Sequence, residues 1–223
     1  MSHGSGERGT TRLRAAPRGA SGRVLVLVAH PAMHRSRVNR VLASSILGIE
    51  GVTVHDLYDA YPDFDIDVKR EQALLLAHPI IVWQHPFYWY STPAILKEWQ
   101  DLVLEFGWAY GPGGHALNGK TFLSAITTGG PDTAYQPGGY NRFTIRQLLA
   151  PIEQSMHLCG IRTLPPFVVH GSHRLTDADI EHSAVGYRRV IEALRDGRLD
   201  PDRLDGPSLA AATLTDSILA PGA

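Results

Sequence analysis

The chain has 223 residues, of which 43% are hydrophobic and 19% are charged, and its formal net charge is −1. This composition is typical of a globular protein and argues against a disordered, collagen-like or disulfide-stapled chain. A nearly neutral charge gives no global attraction to nucleic acid or anionic lipid. The single cysteine, Cys159, suits a reducing compartment, and no apolar run reaches the roughly 18–20 residues of a membrane span. We therefore predict a soluble cytoplasmic protein that does not bind nucleic acid.

The two ends of the chain differ in composition from the segment between them. Residues 1–22 are rich in Gly, Ser and Arg and contain no apolar stretch. They are predicted to form a disordered leader, with a transit peptide as the weaker alternative. Residues 198–223 contain three prolines and one short apolar stretch, which predicts a C-terminal tail. The folded domain is therefore expected to span residues 23–197.

Strand-like and helix-like patterns alternate between these ends. Apolar or alternating runs predict strands at 24–29, 52–57, 80–83, 120–127 and 162–169, the last one interrupted by two prolines. Helical spacing of apolar residues predicts helices at 36–47, 67–77, 92–105, 144–158 and 176–195. Five strands alternating with five helices predict an α/β fold, a doubly wound parallel sheet with helices on both faces.

Two matches to nucleotide-binding motifs lack the context that these motifs require. Residues 4–9 fit G-x-G-x-x-G, but no strand pattern precedes them and no helix pattern follows. Residues 114–121 fit G-x-x-x-x-G-K-[ST], but they lead into a predicted strand. Both mechanisms place the phosphate between a strand and the start of a helix. We therefore interpret both segments as glycine-containing loops.

The 11 histidines are not arranged like metal ligands. No pair has the H-x₃-H spacing with a carboxylate nearby, and His170 and His173 fall in a predicted loop. Cys159 and the nearby His157 fall at the end of a predicted helix, where packing is a better explanation than nucleophilic catalysis. No metal site is predicted.

Three loops follow predicted strands and could form one ligand crevice, because doubly wound sheets bind ligands at the carboxyl ends of their strands. In the first, residues 29–39, polar and basic side chains meet the start of a helix, which suits a phosphate; a capped helix with solvated arginines is the alternative. The second holds four consecutive aromatic residues, 87–90, which suit a flat heteroaromatic ligand, a hydrophobic plug or a dimer surface. In the third, the paired glycines at 129–130 let backbone amides approach a ligand, or form a simple turn.

Taken in order, these segments resemble the flavodoxin-like NAD(P)H:quinone oxidoreductase family over about residues 22–195. The resemblance is greatest to the ancillary flavoproteins of glutathione-regulated bacterial potassium-efflux systems. It is carried by Ala29-His30-Pro31, Ser36-x-x-Asn39, Tyr61-Pro62-Asp63-Phe64, Trp83-Gln84-His85-Pro86, Trp89-Tyr90-Ser91, Gly107-Trp108-Ala109-Tyr110-Gly111, Thr127-Thr128-Gly129-Gly130 and Leu164-Pro165-Pro166-Phe167. It implies a flavodoxin-like five-stranded sheet with FMN, or alternatively FAD, in the crevice.

The family pattern also implies which residues hold the flavin. The phosphate end would contact His30, Ser36, Arg37, Val38 and Asn39. The isoalloxazine ring would lie against Phe87, Tyr88, Trp89 and Tyr90, and its pyrimidine edge would meet Thr127, Thr128, Gly129 and Gly130.

Members of the family often carry a Tyr and a His after the Thr-Thr-Gly-Gly turn. Here Tyr135 stands at the Tyr position and Tyr140 at the His position. These two tyrosines are the expected catalytic residues. A tyrosine, with an unperturbed pKa near ~10, can donate a hydrogen bond but does not carry a positive charge at neutral pH.

The resemblance implies a flavin-dependent NAD(P)H:quinone oxidoreductase. Hydride would pass from the co-substrate NAD(P)H to the flavin and then to a small quinone, in ping-pong order. A homodimer is expected, because a shallow crevice often takes one wall from a second subunit. The alternative is a flavin-binding regulatory subunit of a glutathione-gated potassium-efflux transporter, at the inner face of the membrane. A third alternative is a flavodoxin-like protein that has lost its cofactor.

Overall fold

The fold is a parallel sheet with the strand order of the flavodoxin-like class. The computed structural model describes residues 22–199. The strands are β1 (Val24–Val28), β2 (Val52–Asp56), β3 (Ile80–Pro86), β4 (Thr121–Thr127), β5 (Arg162–Thr163) and β6 (Phe167–Val169). They are all parallel, in the order β2-β1-β3-β4, and both β5 and β6 pair with β4. The predicted doubly wound sheet is confirmed.

The helices lie close to their predicted positions. They are α1 (Val38–Ser45), α2 (Leu57–Ala60), α3 (Val68–Ala77), α4 (Ala94–Val103), α5 (Ile145–Leu158) and α6 (Asp177–Arg195), with 3-10 turns at Met33–Arg35 and Asp132–Tyr135. Side-chain caps fix several starts: Thr144 and Thr176 each form a reciprocal capping box at α5 and α6. The Ser36 hydroxyl accepts the Asn39 amide at 3.1 Å, although α1 itself begins two residues later than predicted.

Two differences from the predicted elements have local causes, and one predicted irregularity is confirmed. The strand predicted at 80–83 continues to Pro86, because Gln84 and His85 are buried and pair with β4 despite being polar. The short helix α2 was not predicted; it starts where Asp56 accepts two backbone amides. The fifth strand is interrupted at its two prolines as predicted, which leaves β5 and β6.

Helices cover both faces of the sheet. Leu25 and Leu27 of β1 belong to a core with α3, α4 and α5, whereas Val24, Val26 and Val28 belong to a second core with α1 and α6. Burial on both faces explains why this strand reads as a continuous apolar run. Residues 114–121 lead from a loop into β4 and so lack the helix that a P-loop needs. Residues 4–9, and almost all of the predicted leader and tail, lie outside the described residues.

A buried carboxylate joins several elements on one face of the sheet, the face covered by α3 and α4. Glu71 of α3 is fully buried and accepts hydrogen bonds from Trp99 Nε1 (2.8 Å), Tyr61 Oη (2.5 Å) and His55 Nε2 (2.9 Å). Burial alone would raise the pKa of Glu71, but these hydrogen bonds outweigh it and the pKa is lowered. The cluster ties α3 to β2, to the end of α2 and to α4.

Candidate functional site

Two adjacent cavities lie at the carboxyl ends of β1, β3 and β4. The helix-start cavity, of about 490 Å³, borders the start of α1, and the aromatic cavity, of about 610 Å³, lies beside it. Phe87 and Gly129 line both cavities. The three loops singled out from the sequence therefore meet at one edge of the sheet.

Side-chain hydrogen bonds hold the loops around the helix-start cavity together. Asn39 Nδ2 donates to Thr127 Oγ1 at 2.9 Å, and Gln84 Nε2 donates to the Asn39 carbonyl at 2.9 Å. Asn39 Oδ1 is buried and has no hydrogen-bond partner within residues 22–199. Because Asn39 also lines the cavity, a ligand that carries hydroxyl donors could satisfy this oxygen.

The basic side chains of this cavity have different roles. Arg37 donates to Asp177 Oδ1 (2.9 Å) and to the Leu175 carbonyl (3.1 Å), so its guanidinium is anchored to the start of α6. Arg35, which the sequence interpretation did not select, also lines the cavity. His30 Nδ1 accepts the Ala32 amide at 3.1 Å, and burial lowers the pKa of this histidine. A neutral His30 therefore carries its proton on Nε2, which can donate to a ligand.

The aromatic cavity has two walls. One is formed by the loop after β3 and the other by the loop after β4. Its lining residues are Phe87, Trp89, Tyr90, Gly129, Gly130, Pro131, Thr133, Ala134, Tyr135, Tyr140 and Asn141.

The aromatic loop presents one side chain to the core and three to solvent. Phe87 is buried, whereas Tyr88, Trp89 and Tyr90 are exposed, Trp89 to 93%. Trp89 and Tyr90 both have left-handed backbones, with φ of 50° and 60°, in a turn closed by a hydrogen bond from Ser91 N to Tyr88 O. Residues other than glycine and asparagine rarely adopt this left-handed backbone conformation, which costs about 1–2 kcal/mol per residue. The turn holds an exposed tryptophan at the cavity rim despite that cost.

The turn after β4 is tied to the segment after β6. Backbone hydrogen bonds join Thr128 N to Val169 O, Gly171 N to Gly130 O and Ser172 N to Thr128 O, each 2.9 Å long. Thr128 is buried and lines neither cavity, whereas every other predicted cofactor-binding residue lines one of them. Its side chain therefore supports the turn and does not face a ligand.

The two expected catalytic tyrosines differ in environment. Tyr135 is 7% exposed, and burial raises the pKa of its hydroxyl, while hydrogen bonds with Thr128, the Gly130 amide and Asn141 oppose that shift. Tyr140 is 90% exposed at the cavity rim. The Tyr135 hydroxyl is thus hydrogen-bonded inside the site, whereas Tyr140 stands in solvent at its rim.

Sequence reasoning missed several lining residues. In the helix-start cavity these are Ala32, Arg35, Pro86, Ser172 and His173, and in the aromatic cavity Pro131, Thr133, Ala134 and Asn141. Ser172 and His173 follow the interrupted fifth strand, and their position at a strand's carboxyl end was the available signal. Within residues 22–199, no group of three or more His, Cys, Asp or Glu side chains could hold a metal ion.

Comparison with known proteins agrees with this geometry. Residues 22–191 match the model of a family described by its flavodoxin-like fold. The chain belongs to this family. Among curated relatives, the uncharacterized NAD(P)H oxidoreductase YdeQ of Bacillus subtilis is 47% identical over 76% of this chain and 86% of its own length. The glutathione-regulated potassium-efflux system ancillary protein KefG of Yersinia enterocolitica is 46% identical over 77% of this chain and 93% of its own.

Solved structures of the same family have a similar backbone. General stress protein 14 of Treponema denticola, in complex with FMN, is 36% identical with a TM-score of 0.74, over 77% of this chain and 99% of that one. An NADPH-quinone reductase from P. pentosaceus is 33% identical with a TM-score of 0.69, over 75% of this chain and 96% of that one. These relationships support an oxidoreductase of the flavodoxin-like family.

Proposed function

We propose that this chain binds FMN and transfers electrons from NAD(P)H to a quinone. The observation that carries the proposal is the shared border of the two cavities at Phe87 and Gly129. A cavity lined by Arg, His, Ser and Asn side chains continues into one with aromatic walls. This matches a ligand with a phosphate at one end and a flat ring system at the other. The FMN complex of the related Treponema protein supports the same assignment.

The chain's own residues bind and orient the cofactor, and bound FMN supplies the two-electron redox chemistry. In the helix-start cavity, Arg35 and the Nε2 proton of His30 bind the phosphate, and Asn39 Oδ1 accepts a hydroxyl of the sugar chain. Ser36, Arg37 and Val38 shape the start of α1 around it. Phe87 closes the base of the site where the cavities meet.

The aromatic cavity receives the flat part of the cofactor and the substrates. Trp89 and Tyr90 provide the aromatic wall, and Gly129 and Gly130 provide the opposite one, where backbone amides meet negative charge on the pyrimidine edge. Tyr88 and Thr127 line the helix-start cavity, and Thr128 supports the turn that follows β4. The Tyr135 hydroxyl donates to a quinone oxygen, and Tyr140 closes the rim. NAD(P)H and quinone occupy this one cavity in turn, which produces ping-pong kinetics.

An absorbance experiment tests the proposal directly. The cofactor released from the protein as purified is identified by mass, which distinguishes FMN from FAD, and protein without bound cofactor is reconstituted with FMN. Anaerobic addition of NADPH, and separately of NADH, should bleach the visible flavin band, and a benzoquinone should restore it. A band that NAD(P)H leaves unchanged, or that no quinone restores after bleaching, contradicts the proposed reaction.

A homodimer is part of the proposal. The strained turn keeps Trp89 in solvent at the cavity rim, where Tyr140 is also almost fully exposed. Large exposed aromatic side chains at a rim are typical of interaction surfaces. A second copy covering this rim would supply the wall that the open side of the aromatic cavity lacks.

The similarity to KefG favours a second candidate function, a regulatory subunit of a potassium-efflux transporter. No helix within residues 22–199 is long and apolar enough to cross a membrane. In this role the chain would bind FMN and respond to NAD(P)H, with the transporter as its partner at the membrane's inner face. Flavin reduction without quinone turnover, together with altered potassium efflux on co-expression with such a transporter, would favour this function over the first.

A further inference from the structure

His170, which directly follows β6, lies against the turn that follows β4. Its Nδ1 is 3.1 Å from Thr128 Oγ1, and its Nε2 is 3.5 Å from Asp132 Oδ1. Its ring lies against Tyr135 with centroids 5.6 Å apart. The side chain is largely buried, with 18% exposed. One histidine therefore contacts the turn at 127–130, the 3-10 turn at 132–135 and the catalytic candidate Tyr135.

The hydrogen positions in this cluster follow from the Thr128 hydroxyl, which has one hydrogen to donate. That hydrogen is donated to the Gly130 carbonyl at 2.9 Å. Thr128 Oγ1 therefore accepts from His170, so Nδ1 of the ring carries a hydrogen. The Gly130 carbonyl also accepts the Gly171 amide at 2.9 Å, so both contacts fix the same peptide unit.

We propose that His170 is a positioning residue for the flavin site: its Nδ1–H orients Thr128, and Thr128 orients the peptide of Gly130. The Gly130 carbonyl belongs to the peptide with Pro131, which has no N–H, so these contacts act by fixing the turn that carries the Gly129 amide beside the aromatic cavity. This inference rests on the proposed function, because it assigns the role of a residue at the same site.

The proposal predicts an effect on the redox state of bound FMN rather than on binding alone. Reduction places negative charge on the pyrimidine edge, and fixed backbone amides stabilise that charge. If the turn loses its orientation, reduced FMN should lose more affinity than oxidised FMN. A tenfold loss in that ratio corresponds to a fall of about 30 mV in the midpoint potential of a two-electron couple.

A pair of amide variants of His170 tests this role. Asparagine places an amide donor near the Nδ1 position of His170, and glutamine places it near Nε2. We expect His170→Asn to keep the midpoint potential of bound FMN near the wild-type value and His170→Gln to lower it by about 30 mV. The exposed His157 at the end of α5 provides a matched control, since His157→Asn should leave the potential unchanged.

The potentials are measured by dithionite titration, which uses neither NAD(P)H nor quinone. The result is therefore independent of whether the proposed reaction occurs. Equal potentials for the two His170 variants would overturn the proposal, as would an Asn variant that binds no FMN. A Gln variant that loses FMN while the Asn variant retains it at the wild-type potential would support it.

Discussion

The hydroxyl of Tyr90 donates a hydrogen bond to Asn141 Oδ1 at 3.1 Å. The two residues stand on opposite walls of the aromatic cavity, one in the turn after β3 and the other in the loop after β4. This is a bridge across the mouth of the cavity between segments that are 51 positions apart. It sets the separation of the walls between which the substrates are proposed to bind.

Tyr90→Phe removes this bridge and leaves the aromatic ring in place. One exposed hydrogen bond contributes about 0.5–1.5 kcal/mol, so we expect the KM for quinone to rise about two- to tenfold. The affinity for FMN should change less than twofold, because the phosphate is bound in the other cavity. Steady-state kinetics and fluorescence titration measure the two quantities. Tyr110→Phe, in a half-buried tyrosine outside both cavities, is the control; an equal rise in KM in both variants would contradict this role.

The two catalytic candidates should differ in their effect on quinone reduction. Tyr135 has a buried hydroxyl within the cavity, so we expect Tyr135→Phe to slow reoxidation of FMN by quinone at least tenfold, as removal of a positioned donor does. Tyr140→Phe should slow it less than threefold, because this hydroxyl stands in solvent. Both variants should retain FMN. Stopped-flow measurement of the quinone half-reaction checks this, and unchanged rates in both variants would remove the tyrosines from the mechanism.

Sequence patterns were sufficient for the sheet because its strands have distinct local signals. The apolar run of β1 reflects burial on both faces, and the two prolines of the fifth strand mark its interruption. The extension of β3 was missed because Gln84 and His85 are polar. Their burial depends on pairing with β4 and on Asn39, 45 positions from Gln84, which no local pattern reports.

The same reason explains which site residues could be predicted. Loops that directly follow strands were identified, since topology alone brings them to one edge. The sequence did not identify which residues of these loops contact one another. His170 meets Thr128 across 42 positions, and Tyr90 meets Asn141 across 51, and neither pair has a spacing that a sequence pattern would reveal.

Replacement of Trp89 should separate the effect of the strained turn on stability from its proposed role in the dimer surface. Trp89→Gly places glycine where φ is 50°, so we expect the free energy of unfolding to rise by about 1 kcal/mol. The same change removes the most exposed aromatic side chain of the proposed dimer surface and should shift the protein toward monomer. Urea unfolding and light scattering measure these opposite effects.

A control for this variant uses an exposed apolar residue away from the rim. Leu47, which follows α1, is also largely exposed. Leu47→Ala should change neither the oligomeric state nor, by more than about 0.5 kcal/mol, the stability. If Trp89→Gly keeps the oligomeric state of the unchanged protein, this turn is not part of a dimer interface.

The buried Glu71 cluster should make stability depend on pH in a defined direction. Glu71→Gln leaves the donors of His55, Tyr61 and Trp99 facing an amide that can accept through one oxygen only, so we expect a loss of about 3 kcal/mol at pH 7. The pKa of Glu71 is lowered in the folded state, so its stabilisation is present above the unfolded value near 4.5. That stabilisation is lost as the pH falls below this value and through the folded pKa.

Urea unfolding of the unchanged protein and of Glu71→Gln at several pH values measures this difference. The gap between their free energies of unfolding should be largest near neutral pH and should narrow as the solution becomes more acidic than pH 4.5. Glu98→Gln, on the exposed face of the same helix α4 that carries Trp99, should show no gap at any pH. A gap for Glu71→Gln that stays constant down to the acid transition would mean that the carboxylate is not stabilised as an anion. The cluster would then hold α3 against β2 and α4 through packing rather than through charge-assisted hydrogen bonds.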